Sequence, residues 1–341
     1  MKEAVFIKRN IERWNRFESI NDKKTKEDPD SLASMFIQIT DDLAYSRTFY
    51  PNSDTTRYLN QLAANAHLKI YKNKKEDRGI IKQFWKEEFP LIIYQYRKFI
   101  HISIIFFLVS VLMGAYSASK DIDFVRLILG DEYVDMTLQN IEKGDPMAVY
   151  KQTFEVDMFL GITINNIRVS FYAFVSGIMF SLGTLYVLLS NGIMLGSFQY
   201  FFFEYGLLRE SVLTIWIHGT LEIFSIMVAG AAGMILGSSL LFPSTYSRIQ
   251  SLKKGTKNGV KIIIGIFPIF IVAGFLEGFV TRQTEAPVAI RAGIILASLV
   301  FIIWYFFIYP VLLAQKHHIY KKNLIFDFMF QFINQFNKIK S

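Results

Sequence analysis

The sequence predicts an all-α chain: a polytopic membrane helical bundle of about six spans with an N-terminal cytoplasmic helical domain. Three observations predict it. Of the 341 residues 52% are hydrophobic and the mean hydropathy is +0.29, where a soluble chain holds about 45–50% apolar residues without long uncharged blocks. Charges are dense before residue 98 and sparse in several long stretches after it. Most of those stretches reach the about 17–25 apolar residues that a spanning helix needs.

Residues 1–98 read as the soluble part, ending in a juxtamembrane helix. Apolar side chains recur at helical spacing in Val5, Ile7, Ile11, Trp14 and Phe17, and again in Leu32, Met35, Phe36, Ile39, Leu43 and Ala44. Ser31 and Asp54 are expected N-caps, Pro51 a break, and Lys23–Asp30 a polar loop. Charge runs through the first twenty residues, so no cleaved signal peptide is expected. Residues 80–98 interleave Phe84, Trp85, Phe89, Tyr94 and Tyr96 with Lys and Glu. They predict an interfacial helix kinked at Pro90, because Trp and Tyr favour the headgroup zone.

The transmembrane domain is expected over 99–315, with spans near Phe99–Ala118, Val169–Ser190, Gly192–Leu208, Val212–Leu241, Ile262–Val280 and Ala292–Leu313. Loop charge orients them. The region through Lys98 holds 19 Lys/Arg against 14 Asp/Glu, and 119–167 holds four against nine. Residues 242–261 carry Arg248, Lys253, Lys254, Lys257 and Lys261 with no acid, and the tail after 315 is also basic. Positive-inside bias puts both termini and 242–261 in the cytoplasm and 119–167, with short surface helices, outside. Gly192–Leu208 is the weak span, about 25 Å of helix, and a re-entrant course is its alternative. The tail 316–341 reads as an amphipathic cytoplasmic helix.

The same bias accounts for the net charge of +8 without a nucleic-acid partner. With no cysteine, there is no disulfide framework, thiolate metal site or cysteine nucleophile. Neither a nucleotide-binding loop nor a nucleophile motif occurs, and no cofactor is expected.

Ionisable groups inside spans cost about 2.5–3.5 kcal/mol each, so they are functional candidates. His218 and Glu222 are spaced i, i+4 and share one helix face. With Glu277 and Glu204 they stand at similar depth on three consecutive spans and predict an intramembrane polar site. Three readings remain open: a pairing that locks the bundle, a proton or solute relay, and a metal site. The third lacks the second His of the His-Glu-x-x-His pattern. Small residues form the other signal. Gly192 and Gly196 make a GxxxG beside Asn191. Gly230, Gly233 and Gly237 line the inner half of span four, Gly278 lies in span five, and Gly219 is placed to admit a neighbouring backbone. Such faces also support a homodimer.

Together, Asn191-Gly192-x-x-x-Gly196, His218-Gly219-x-x-Glu222, Gly230-Ala231-Ala232-Gly233 with Gly237 and Pro243, and Glu277-Gly278-Phe279 ahead of a threonine resemble the stage II sporulation protein M family over about residues 95–315. The opening Glu3-Ala4-x-Phe6-Ile7, continuing to Trp14, looks like the longer, non-sporulation members that carry an extra cytoplasmic region. The resemblance implies a non-catalytic scaffold. The sporulation member belongs to a membrane complex that recruits peptidoglycan-degrading enzymes during engulfment, and longer members occur beside RDD-type membrane proteins and MoxR-type ATPases. The expected function is therefore an integral scaffold of a prokaryotic inner-membrane complex. Its partners would be the lipid bilayer, other membrane or envelope proteins and further copies of itself. The alternatives are a channel or transporter using the His/Glu relay and, third, an intramembrane metalloenzyme.

Overall fold

The computed structural model describes residues 2–22, 29–72, 79–151, 154–284 and 286–317. Among these every regular element is helical, and the chain divides into two units, Met1–Ile81 and Lys82–Ser341.

In the first unit α1 (Glu3–Asp22), α2 (Pro29–Phe49) and α3 (Asp54–Lys72) share a core of Phe6, Trp14, Phe17, Ile39, Leu43, Leu59, Leu62 and Ala63. Phe6 turns inward where Val5 was expected, and Val5 is 53% exposed. Asp42 accepts from the Trp14 indole at 2.8 Å and from Arg13 at 2.5 Å, so the buried indole N–H keeps a partner. Pro51 lies in the turn between α2 and α3. Ser53 rather than Asp54 caps α3, accepting from the Thr56 amide at 3.3 Å. Because α2 starts at Pro29, Ser31 falls inside it instead of capping it. Most of the expected 23–30 loop and the tail helix beyond 317 lie outside the described residues.

The short α4 (Ile80–Gln83) runs across the division, and the second unit continues with a π-helical stretch Phe84–Glu88 and α5 (Phe89–Gln95). Pro90 sits in the first turn of α5. This segment packs into the bundle instead of lying free at an interface. Phe89 is fully buried, the Trp85 indole donates to the Gly265 carbonyl at 3.1 Å, and the Tyr305 and Tyr309 hydroxyls donate to the Trp85 and Lys86 carbonyls at 2.7 Å. Carbonyls at a π-helical stretch need such outside donors.

Then follow α6 (Arg97–Lys120), α7 (Ile122–Leu129), α8 (Asp131–Glu142), α9 (Glu155–Val175), α10 (Leu182–Glu204), α11 (Leu208–Leu241), α12 (Arg248–Phe275), α13 (Val288–Ile302) and α14 (Tyr309–Lys316). A π-helical stretch Leu276–Thr281 extends α12, and another, Ile303–Ile308, joins α13 to α14. Six helical runs are long and apolar enough to cross a membrane: Arg97–Lys120, Glu155–Ile178, Leu182–Glu204, Leu208–Leu241, Arg248–Thr281 and Val288–Lys316. The protein is a multi-pass membrane protein.

Two boundaries differ from expectation. Val169–Ser190 is not one helix but the end of α9, a reversal and the start of α10. The chain turns at Phe180 and Ser181, whose φ values are 52° and 68°. Left-handed backbone is costly for such residues and needs support from its surroundings. Ser181 finds it in the Gly177 carbonyl, bonded by its amide at 2.9 Å. With the turn placed there, α10 has 23 residues and is long enough to cross a membrane, where the expected third span was short. The expected outer segment shortens correspondingly, since residues 155–167 belong to α9. The basic stretch 248–261 is likewise helix, leaving 242–247 as the connection.

α11 is the axis of the bundle: 78% of its most apolar window is buried, against 28–44% for the other spans. Its 34 residues extend about 51 Å, well beyond a hydrocarbon core of about 30 Å.

Candidate functional site

His218 and Glu222 sit one turn apart on α11, as the spacing requires. Glu277 comes from the π-helical stretch that ends the fifth span, where the widened turn carries Glu277, Gly278 and Thr281 inward, all buried. The structure brings these three acid–base groups together: one donor atom from each of His218, Glu222 and Glu277 lies within 4.8 Å of the others. His218 Nε2 is 3.5 Å from Glu277 Oε2. Glu204 is not among them. It is exposed at the end of α10 and accepts from the Tyr200 hydroxyl at 2.8 Å.

The histidine is oriented from behind. Thr281 Oγ1 donates to the Leu276 carbonyl at 3.1 Å and lies 2.9 Å from His218 Nδ1. A hydroxyl has one proton. In the tautomer that keeps the Thr281 proton on Leu276, Thr281 accepts from Nδ1–H and Nε2 is left with its lone pair.

Two of the three, His218 and Glu222, line a cavity of about 370 Å³. Its wall includes Asn165 and Asn166 of α9, Asn191 of α10, and His218, Gly219 and Glu222 of α11. Its cap comes from the connection between the first two spans: Ile128 and Leu129 of α7, Tyr133 of α8, and Tyr150. The Tyr150 ring lies 6.0 Å from the His218 ring. Burial first, then the Glu277 carboxylate, Tyr133 and Glu222, hold the Tyr150 phenol well above its ordinary pKa, so it stays a hydrogen-bond donor. Arg282 pairs with Glu155 at 3.0 Å and reaches the Lys151 carbonyl at 3.5 Å, tying the cap to the ends of α9 and the fifth span.

Tyr150, Asn166 and Thr281 were not among the expected site residues. Tyr150 and Asn166 fall in sequence taken as an outer segment, and Thr281 lies just past an expected span end. The only signal was polar residues clustered beside an apolar run, which also describes a loop.

The small residues divide. A Cβ at Gly196 would land on the Val111 carbonyl of α6, and one at Gly233 on the Ala173 carbonyl of α9, so these helices touch backbone to backbone. Gly192, Gly230, Gly237 and Gly278 also face close neighbours. Gly219 is the exception. Its nearest neighbours are side chains of its own helix, Ile223 and Ile215, at 3.5 and 3.6 Å. It admits no neighbouring backbone and instead leaves room in the cavity. Asn191 spends its amide on the Val187 carbonyl of its own helix at 2.8 Å.

The cavity lining reaches Ile226 on α11 and Phe107 on α6. There Ser103 of α6 donates to the Met227 carbonyl at 2.6 Å, and the Gly177–Gly233 contact closes α11 against the turn after α9.

A family model described as a domain of unknown function (DUF8413) matches residues 4–72, the three helices of the first unit. No curated protein and no solved structure matches the chain. The family model for stage II sporulation protein M matches residues 103–282, a range that contains His218, Glu222, Glu277 and every residue named above that caps or orients them. That match covers more than half of the 341 residues, and the chain belongs to the stage II sporulation protein M family.

Proposed function

We propose that this protein is an integral membrane scaffold in a prokaryotic plasma-membrane complex. One observation carries the reading: the half of the bundle around Gly177, Gly233 and Gly237 is closed by backbone-to-backbone contact. A cavity beside such packing suits holding a partner or ligand better than conducting one. The channel or transporter reading, with His218, Glu222 and Glu277 as relay, needs those contacts to part.

In this reading positive-inside bias places both termini and the 242–247 connection in the cytoplasm, and residues 121–154 on the outer face. The three-helix unit, with a core of its own, is a docking module for a cytoplasmic partner such as a MoxR-type ATPase. An RDD-type membrane protein or a second copy of the chain would pack against the spans.

Affinity purification of the full chain from its native host in mild detergent, with mass spectrometry of what accompanies it, tests the proposal. A reproducible partner set near stoichiometry is expected. A chain that emerges alone, and that drives solute flux in liposomes, would overturn it.

A further inference from the structure

We propose that His218, Glu222 and Glu277 form a binding site for one divalent transition-metal ion of the zinc class, with an open coordination position facing the cavity. The inference does not rest on the scaffold reading. A scaffold and a transporter alike can carry such an ion.

Four observations support it. The first is donor chemistry: one imidazole nitrogen and two carboxylates, within 4.8 Å of one another, are ligand types that zinc takes. The second is spacing. His218 Nε2 and Glu277 Oε2 stand 3.5 Å apart, too far for a good hydrogen bond. Two ligands at about 2.0–2.2 Å from a tetrahedral ion stand about 3.3–3.6 Å apart. The third is orientation. Metal-bound histidines characteristically give their other ring N–H to a fixed acceptor, and Thr281 Oγ1 stands 2.9 Å from Nδ1, placed for that role. In that tautomer Nε2 is free of its proton on the side of Glu277.

The fourth is charge and polarity. Two carboxyl groups gathered at a buried site either take up protons or, when ionised, need a counter-charge, and the residues lining the cavity include no lysine or arginine. A doubly charged cation balances two carboxylates. In addition, Asn166 is 4% exposed, lines the same cavity and hydrogen-bonds the Glu222 side chain. An amide donor of that kind orients a ligand carboxylate from behind.

Three protein ligands with the fourth position left to water is the pattern of zinc sites that act on a ligand, whereas purely structural sites are closed by four. The cavity of about 370 Å³ lies on that open side, under Tyr150. The site therefore takes the ion first and a small polar ligand on it second.

The test uses the full chain in detergent, stripped with chelator and titrated with Zn²⁺ against a chromophoric competitor, then reconstituted with Co²⁺ for its visible spectrum. Wild type is expected to bind about one ion per chain, with intense tetrahedral Co²⁺ bands. His218→Ala and Glu277→Gln should each abolish tight binding, while Glu204→Gln, outside the cluster, binds as wild type. Thr281→Val removes no ligand and keeps the side-chain volume. Through the lost orientation of His218 it should weaken Zn²⁺ affinity about 10–100-fold. If His218→Ala fails to fold, Glu277→Gln and Thr281→Val still decide the matter. A wild-type chain that takes up no Zn²⁺, or variants at 277 and 281 that bind as tightly as wild type, would overturn the proposal. None of these outcomes changes which proteins co-purify, so the two proposals fail separately.

Discussion

The two halves of α11 run through the same bundle and do opposite things. From Leu208 to Phe224 the helix carries His218, Gly219 and Glu222 against a largely apolar cavity with a few polar side chains. From Ser225 to Leu241 it is nearly solid with Gly230, Ala231, Ala232, Gly233 and Gly237, and neighbouring backbones lie directly on it. The difference is one of side-chain volume and of which partner each small residue meets. Helices in lipid gain little from hydrophobic burial, so close approach through small residues is what holds them together. The packed half supplies that rigidity. The open half can then keep three ionisable groups and a cavity, features that would otherwise favour collapse.

The largest expected effect comes from breaking the packed half. Gly233→Leu drives a side chain into the Ala173 carbonyl and Thr184. Overpacking of this kind costs about 1–3 kcal/mol or more, and here a backbone atom must move. A sharply lowered melting temperature in detergent is expected, and an unchanged one would show that the contact is dispensable.

In the open half Asn166 is buried and hydrogen-bonds the Glu222 side chain. Asn166→Leu leaves that carboxyl group short of a donor and should cost about 1–3 kcal/mol. A melting temperature equal to that of wild type would show that the bond is dispensable. Gly219→Ala, whose new methyl meets only ordinary contacts at 3.5–3.6 Å, should gain up to about 0.5–1 kcal/mol of helix stability. Thermal unfolding of this variant beside Gly233→Leu contrasts the two glycine environments directly. The smallest effect is expected from Ser103→Ala at the junction of the halves. It removes the 2.6 Å bond to the Met227 carbonyl, and interhelical hydrogen bonds in membranes average about 0.6 kcal/mol. A cost several times larger would place the seal at this bond instead of at the glycines.

Much of this arrangement is legible from the residues in order. Long apolar blocks announced the number of spans and placed the first and the last three, and i, i+4 spacing put His218 and Glu222 on one face. The reversal at Phe180–Ser181 was not legible. Met179, Phe180 and Ser181 carry no charge, proline or glycine, and hydropathy runs through them without a dip. The turn exists because Gly177 and the packing around it support left-handed backbone there. The opposite error occurred at α9, where Glu155, Asp157, Thr163, Asn165, Asn166 and Arg168 look like loop. Thr163 and Asn166 are buried in the bundle, and a hydropathy window cannot distinguish a polar residue facing water from one facing a cavity.

By itself, then, the sequence determined the membrane class, the separate helical region at the N-terminus and the family, and it offered His218, Glu222 and Glu277 as site candidates alongside Glu204. Those follow from composition and from periods of a few residues, which local chemistry controls. Only the tertiary structure decided that Glu277 joins His218 and Glu222 while Glu204 does not, that Thr281 orients His218, and that Tyr150 caps the cavity. Sequence distance carries no information about such meetings. They depend on how close two helices approach and on how far a π-helical turn rotates its last residues.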